Sequence, residues 1–145
     1  MAYASAKLVL LLVLAVLTGC AGNSTVPVTG SVTYEGKPLA SGVIIFETPG
    51  ARPAVGKIIE GKIVEVTTYR DRDGAPPGEH KVAIQSVETG GAAITKHPGD
   101  AGVPAGYMQS RSLIPEVYGD PEKSGLTAAL TTGENSLSFE LKRNP

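Results

Sequence analysis

The chain has 145 residues, with 13 lysines and arginines against 14 aspartates and glutamates, so its net charge is −1. Its longest basic run is the pair Lys142-Arg143, which argues against nucleic-acid binding, because proteins that bind nucleic acids carry clustered cations. The 18 glycines and 11 prolines disfavour long helices and are typical of short strands joined by turns. With one cysteine, no tryptophan and two histidines, the chain can form no internal disulfide and offers few groups for catalysis.

The N-terminal segment has the three parts of a secretory signal peptide. A short region with one cation, Lys7, precedes an unbroken apolar run from Leu8 to Leu17, and small residues follow. The run has ten residues, whereas a membrane-spanning helix needs about 20. We therefore expect residues 1–19 to be removed as a signal peptide, which leaves residues 20–145, enough for one domain.

The only cysteine closes this segment. The sequence Leu17-Thr18-Gly19-Cys20 resembles the lipobox of bacterial lipoproteins. The resemblance implies cleavage between Gly19 and Cys20, a diacylglycerol on the Cys20 thiol, and an acyl chain such as palmitate on its amine. Two or more acyl chains anchor a protein stably, whereas one binds only marginally. The residue after Cys20 is Ala21 rather than Asp, which in such lipoproteins implies sorting to the outer membrane. The alternative is an ordinary signal peptide in which the cysteine falls at this position by chance.

Residues 20–25 (CAGNST) are small and polar and are predicted to be a lipidated tether before a domain over 26–145. An alternation of period two then predicts a half-buried strand. One face of this strand carries Val26, Val28, Val32 and Tyr34, and the other carries Thr29, Ser31, Thr33 and Glu35. The turn formers of Glu35-Gly36-Lys37-Pro38 end it. Residues 43–46 (VIIF) are apolar on both faces and predict a central strand.

The next elements are a hairpin and a third strand. Residues 55–60 and 63–68 are predicted to pair across Gly61, which supplies the positive φ of a tight turn. Val64, Val66 and Thr68 are then expected on one face. Residues 71–78 (DRDGAPPG) can only be a connection, and residues 80–87 (HKVAIQSV) are predicted to be the next strand, with Val82 and Ile84 inward.

A long segment, residues 88–112, has five glycines, two prolines and no sustained period, which predicts a flexible loop. Loops of this length are usually functional or disordered. Because binding residues concentrate on loops, Tyr107, Met108 and Arg111 are candidate partner-contact residues. The alternative is a glycine-rich excursion that contacts no partner.

The last part of the chain predicts a closing hairpin through Gly133-Glu134-Asn135. In this hairpin the apolar residues Leu126, Ala128 and Leu130 would lie opposite Leu137, Phe139 and Leu141. No window shows a helical stripe. About seven short strands therefore predict an all-β fold, a single antiparallel β-sandwich of transthyretin-like or immunoglobulin-like type.

Several of these segments resemble one family. Residues 30–39 (GSVTYEGKPL) and 42–46 (GVIIF) resemble the opening of carboxypeptidase regulatory-like domains, which are transthyretin-like sandwich modules. Residues 77–82 (PGEHKV) resemble the family's entry to a later strand, with His80 where an aromatic residue is usual. Residues 114–139 are similar to small bacterial lipoproteins that carry this module. The resemblance implies a sandwich fold, an extracytoplasmic setting and no peptidase activity, because such modules are non-catalytic accessories.

The residues that could hold a metal ion are sparse. His80 and His97 are the only imidazoles, and neither has an acidic neighbour at ligand spacing. A catalytic zinc takes about three protein ligands, so we expect two surface histidines and no metal site. Asp71, Asp73 and Gly74 match the start of a calcium-loop motif. However, Ala75 and two prolines occupy the positions where further oxygen ligands are needed. We interpret this segment as a structural turn.

The nucleophile patterns are equally weak. The chain has no G-x-S-x-G motif. Residues 110–112 (SRS) superficially resemble hydroxyisourate hydrolases on the transthyretin scaffold, but those carry a C-terminal YRGS motif and several active-site histidines that this chain lacks. Tyr118 beside Asp120 and Pro121 could be a recognition feature or a packed corner. The corner is favoured, because a buried tyrosine usually packs its ring and hydrogen-bonds the backbone.

These observations predict a lipid-anchored, extracytoplasmic, non-catalytic β-sandwich of the bacterial cell envelope, without a cofactor. Its expected contacts are the membrane, through Cys20, and a protein or glycan partner; nucleic acid is not expected. Two alternatives remain open. One is a hydrolase on a transthyretin-like scaffold, and the other is a purely structural component of the envelope.

Overall fold

The computed structural model describes residues 24–90 and 109–145. Within these ranges the regular structure is almost entirely β. The strands are β1 Val28–Tyr34, β2 Lys37–Pro38, β3 Ser41–Glu47, β4 Ala54–Ile59, β5 Lys62–Thr67, β6 Gly78–Gln85, β7 Val87–Gly90, β8 Gln109–Ser112, β9 Leu126–Leu130 and β10 Asn135–Leu141. A single turn of 3₁₀ helix, Glu116–Gly119, lies between β8 and β9.

Seven of the strands form one curled sheet, in the order β10-β1-β5-β4-β3-β6-β9. Strand β2 pairs with the end of β1, and β7 pairs with β8 in a separate ribbon. All ladders are antiparallel except that between β1 and β10, which is parallel. The predicted all-β sandwich is confirmed, and the predicted central strand is β3, which lies between β4 and β6.

The core lies on the inner face of the curled sheet. Strand β3 shows the alternation clearly, because Ile44 and Phe46 are buried while Val43 is exposed. The largest fully buried apolar side chains come from both halves of the sheet: Phe46, Ile44, Ile58, Ile84, Leu141, Val32 and Val82. Residues 43–46 are apolar on both faces, but only the inward face is buried, and Val43 lies on the outward face.

Strand β5 contains a bulge that changes which residues face inward. Val55 pairs with Thr67 and Lys57 with Val64, so β5 has one residue more than β4 over this stretch. Glu65 sits at the extra position with φ of 53°. A bulge of this kind reverses the alternation. Ile63 and Val66 are consequently both buried, whereas Val64, predicted to share a face with Val66, is only half-buried.

Two tight turns of the sheet have the same backbone conformation. Glu60 and Gly61 connect β4 to β5 with φ values of 50° and 76°, and Glu35 and Gly36 connect β1 to β2 with 51° and 75°. Two consecutive residues with positive φ make the two-residue hairpin turn whose twist matches antiparallel strands. The predicted role of Gly61 is confirmed.

The predicted closing hairpin is wrong. Strand β9 pairs with β6, and β10 pairs with β1, so the two strands form no ladder with each other. The cause lies in the connection between them. The side-chain amide of Asn135 donates to carbonyl groups of Thr131, Gly133 and Pro27, and its oxygen accepts from the N–H of Thr131. These bonds hold the chain as it passes from one half of the sheet to the other.

The strand directions define two ends of the sandwich. At the first, the tether end, Val26 forms an isolated bridge with Ala75 just before β1 begins. Three connections close this end: residues 48–53, 68–77 and 131–134. At the second, the arm end, β1, β4, β6 and β10 finish and the ribbon of β7 and β8 begins.

Candidate functional site

The ribbon of β7 and β8, which we call the arm, replaces the described parts of the predicted loop 88–112. Val87 pairs with Ser112 and Glu88 with Arg111, in an antiparallel register. The predicted strand over 80–87 is thus divided at Ser86, where β6 ends and the arm begins. Arg111 is exposed on β8, opposite exposed Glu88. Its predicted partner contact stays a prediction, and Tyr107 and Met108 lie outside the described residues.

The arm is joined to the sandwich by two hydrogen bonds at Ser86. The buried Ser86 hydroxyl donates to the carbonyl oxygen of Ser41 at 2.6 Å, and the Ser86 carbonyl accepts from the N–H of Leu113 at 2.8 Å. Ser41 in turn pairs with Ile59 at the end of β4. Since the buried hydroxyl is satisfied, this contact can stabilise the junction between β3, β6 and the arm.

Exposed apolar side chains surround this contact. Val87 is 56% exposed, Ile59 52% and Leu113 38%. Ile59 pairs with Ser41, Val87 follows Ser86 in the chain, and the N–H of Leu113 donates to the Ser86 carbonyl. We call these three residues the arm junction. Single exposed apolar residues are ordinary, but several at one place are typical of an interaction surface. No local sequence pattern indicates this site, because its members are spread over the 54 residues between Ile59 and Leu113.

His80 occupies a buried position, so the prediction of a surface histidine is wrong for it. It is 3% exposed on the inward side of β6, and its ring meets that of Phe46 edge-on at 6.1 Å between centroids. Nε2 lies 2.7 Å from the carbonyl oxygen of Pro76, which can only accept, so Nε2 carries a hydrogen. Nδ1 lies 2.8 Å from Oγ1 of Thr48. His97 is outside the described residues.

The contact between Thr48 and His80 was not predicted, and it can be interpreted in two ways. A hydroxyl within hydrogen-bond distance of an imidazole is the first part of a nucleophile–base pair. However, the Thr48 hydroxyl is also 2.9 Å from the carbonyl oxygen of Glu79, and the ring is oriented by a backbone carbonyl rather than by a carboxylate. In this arrangement the hydroxyl and ring link the end of β3 to β6 and to the preceding connection.

The segment that could have been a calcium loop is a structural turn. The Asp73 carboxylate accepts hydrogen bonds from three backbone N–H groups, those of Thr68 (2.7 Å), Tyr69 (3.0 Å) and Arg70 (3.0 Å). Burial raises the pKa of Asp73, but the backbone donors lower it by more, so its pKa lies below the ordinary value. Its oxygens are therefore occupied by the protein itself.

Tyr118 lies in a packed corner, as predicted. The ring is buried, and its hydroxyl both accepts from the N–H of Lys142, at 2.9 Å, and donates to the Lys142 carbonyl, at 3.2 Å. Asp120 is also structural, because it accepts from the Lys123 ammonium and from the N–H of Glu122; both bonds lower the pKa of its carboxyl. This segment fastens the connection before β9 to the end of β10.

Other predicted features lie outside residues 24–90 and 109–145, including Gly19, Cys20 and the signal segment. In the described ranges no helix has the length and apolar character required to cross a bilayer. The same ranges contain no group of three or more histidine, cysteine or acidic residues that could hold a metal ion. Buried side-chain nitrogen and oxygen atoms there all have hydrogen-bond partners.

Comparisons with known proteins identify no relative: no family model, curated protein or solved structure matches this chain.

The Asp73 turn gives a testable prediction. We expect Asp73→Ala to lower the free energy of unfolding at neutral pH by about 1–2 kcal/mol, less than for a fully buried charged acceptor because water screens this half-buried group. A depressed pKa means that this contribution exists above the unfolded-state pKa and disappears as the pH falls through the folded-state value. The difference in the free energy of unfolding between wild type and Asp73→Ala, measured by urea unfolding, should therefore become smaller as the pH falls.

The matched control is Asp71→Ala, two residues away at an exposed position. We expect a small effect that does not change with pH. A difference between wild type and Asp73→Ala that stays constant down to acidic pH would contradict the role of the ionised carboxylate.

Proposed function

We propose that this chain is a lipid-anchored, extracytoplasmic, non-catalytic β-sandwich module of the cell envelope that binds a protein or glycan partner. The lipobox resemblance of Leu17 to Cys20 supports the anchor, and Ala21 supports the outer membrane as its location. The resemblance to carboxypeptidase regulatory-like domains, including the lipoproteins that carry them, supports the setting.

The observation that carries the binding proposal is the arm junction. Burying an apolar surface is favourable by about 25 cal/mol per Å², so exposed Ile59, Val87 and Leu113 lower the free energy of a complex that covers them. Glu88 and Arg111 lie beside them on the arm and are exposed. An apolar centre with charged residues at its edge is the usual composition of a protein interface.

The non-catalytic part of the proposal is supported by how the described polar groups are used. The buried hydroxyls of Ser86 and Ser124 donate to the carbonyls of Ser41 and Val82, each at 2.6 Å. Both nitrogens of the His80 ring contact protein oxygens. These groups stabilise the fold in the positions where the structure holds them.

The anchor is tested by metabolic labelling with a fatty acid in a bacterial host. We expect the wild-type chain to incorporate the label and Cys20→Ser to incorporate none, because the cysteine thiol receives the diacylglycerol. The control places the only thiol four residues later, in Cys20→Ser/Ser24→Cys. This variant should also remain unlabelled, since Ser24 does not follow Leu-Thr-Gly. Equal labelling of wild type and Cys20→Ser, or none in either, would contradict the anchor.

The binding site is tested by affinity capture from solubilised native envelope. We expect a species retained by the wild-type chain to be lost with Ile59→Ser/Val87→Ser/Leu113→Ser, because the apolar surface it covers is removed. The control, Val43→Ser/Val55→Ser, changes two other exposed apolar residues, 39% and 44% exposed, on the outward face of the sheet. It should retain the species, and both variants should melt close to wild type.

If the capture finds no species that depends on the arm junction, the structural-component alternative is favoured. If the control variant loses the species as well, the binding surface is the outward sheet face rather than the arm junction.

A second candidate function, a hydrolase, is favoured by one observation, the contact of 2.8 Å between Thr48 Oγ1 and His80 Nδ1. Our proposal predicts no turnover of ester, peptide or isourate-type substrates by the purified protein. The discriminating variant is Thr48→Val, which removes the hydroxyl with little change in shape, and its control is Thr33→Val at another half-buried threonine. Repeatable turnover that Thr48→Val abolishes and Thr33→Val preserves would overturn the non-catalytic proposal.

A further inference from the structure

The position of Val26 fixes where the tether meets the domain. Val26 is buried, and it exchanges backbone hydrogen bonds with Ala75, at 2.8 Å and 3.1 Å. The next residue, Pro27, accepts from the side chain and the N–H of Asn135. The chain is therefore held on both sides at the tether end before β1 begins. Any anchor that precedes Val26 must pull on the domain at this end.

The length of chain before Val26 limits how far the domain can be from such an anchor. Residues 20–25 can span at most about 20 Å when fully extended. Strand β1, with seven residues, is roughly 23 Å long, and it runs from the tether end to the arm end. The arm lies beyond it. The tether thus restricts the tether end to the neighbourhood of the anchor, while the length of the sandwich separates the arm from it.

Both ends expose charged residues, but they differ in their exposed large apolar side chains. The three connections at the tether end, which we call the rim, expose charged and small polar groups: Arg52, Arg70, Asp71, Arg72, Thr131, Thr132 and Glu134. By contrast, the arm end has three of the five exposed large apolar side chains of the described residues, those of the arm junction. Phospholipid headgroups are charged and hydrated, so a rim of this composition can lie against them without inserting into the hydrocarbon.

We propose that in the anchored protein the rim faces the phospholipid headgroups and the arm junction points away from the bilayer. This inference rests on the proposed lipid anchor at Cys20. It adds that the partner approaches from the aqueous side and does not need to lie in the same membrane, because the apolar surface is at the end farthest from the attachment point.

The orientation can be measured without cellular lipidation. The chain from Cys20 onward contains every described strand and one thiol, which can be coupled to a maleimide phospholipid in phosphatidylcholine vesicles. The chain has no tryptophan, so a single introduced tryptophan is a unique fluorophore. Thr132→Trp places it on the rim and Lys37→Trp at the arm end, both at exposed positions. Quenching by lipids with nitroxide-labelled headgroups then reports which end is near the bilayer.

We expect quenching to be several-fold stronger at Thr132→Trp than at Lys37→Trp. In the control, Cys20→Ser/Asn144→Cys moves the coupling to the exposed segment after β10, at the arm end, and the order should reverse. Equal quenching at the two positions, or the same order for both attachment points, would overturn the orientation. Because coupling is chemical, this result is separate from the fatty-acid labelling: loss of labelling with the expected quenching would reject only the natural anchor.

Discussion

The parallel ladder between β1 and β10 is the constraint on which the rest of the structure depends. It joins the first and last strands of the sandwich over seven Cα pairs, from Val28 with Asn135 to Tyr34 with Leu141. The approach is so close that a Cβ on Gly30 would lie 2.3 Å from the carbonyl oxygen of Leu137, so only glycine fits there. The ladder buries Val32 and Leu141 against the other half of the sheet, and it sets the end at which Val26 enters.

Hydrogen bonds of polar side chains then stabilise the connections between the strands. Asn135 holds the passage from β9 to β10, Tyr118 fastens the connection before β9 to Lys142, and Asp73 orders the crossover from β5 to β6. His80 and Thr48 link that crossover to the end of β3. In a domain with few large apolar residues, fully satisfied buried polar groups specify one arrangement of the connections, because an unpaired buried group would cost about 1–3 kcal/mol.

The same topology relates the proposed anchor to the proposed binding surface. Because β1 and β10 are parallel, the tether enters at one end of the sandwich and the chain leaves β10 at the other. Strand β6 runs in the same direction as β1, so Ser86 and the arm emerge at the arm end. The position of the proposed binding surface at the far end of the sandwich thus follows from strand direction, and the exposed residues Ile59, Val87 and Leu113 give that end an apolar surface.

Local features could be predicted from the sequence by itself: the all-β class, the turn at Gly61, the alternation of β1, the structural turn at Asp73 and the packed corner at Tyr118. Each depends on neighbouring residues, through backbone propensity or side-chain periodicity. Only the tertiary structure decided which strands pair, that Glu65 forms a bulge, that His80 is buried against Phe46 and Thr48, and that Ile59, Val87 and Leu113 lie at the same end of the sandwich. These outcomes depend on contacts between segments that are distant in the sequence, and no local pattern specifies which segments make contact.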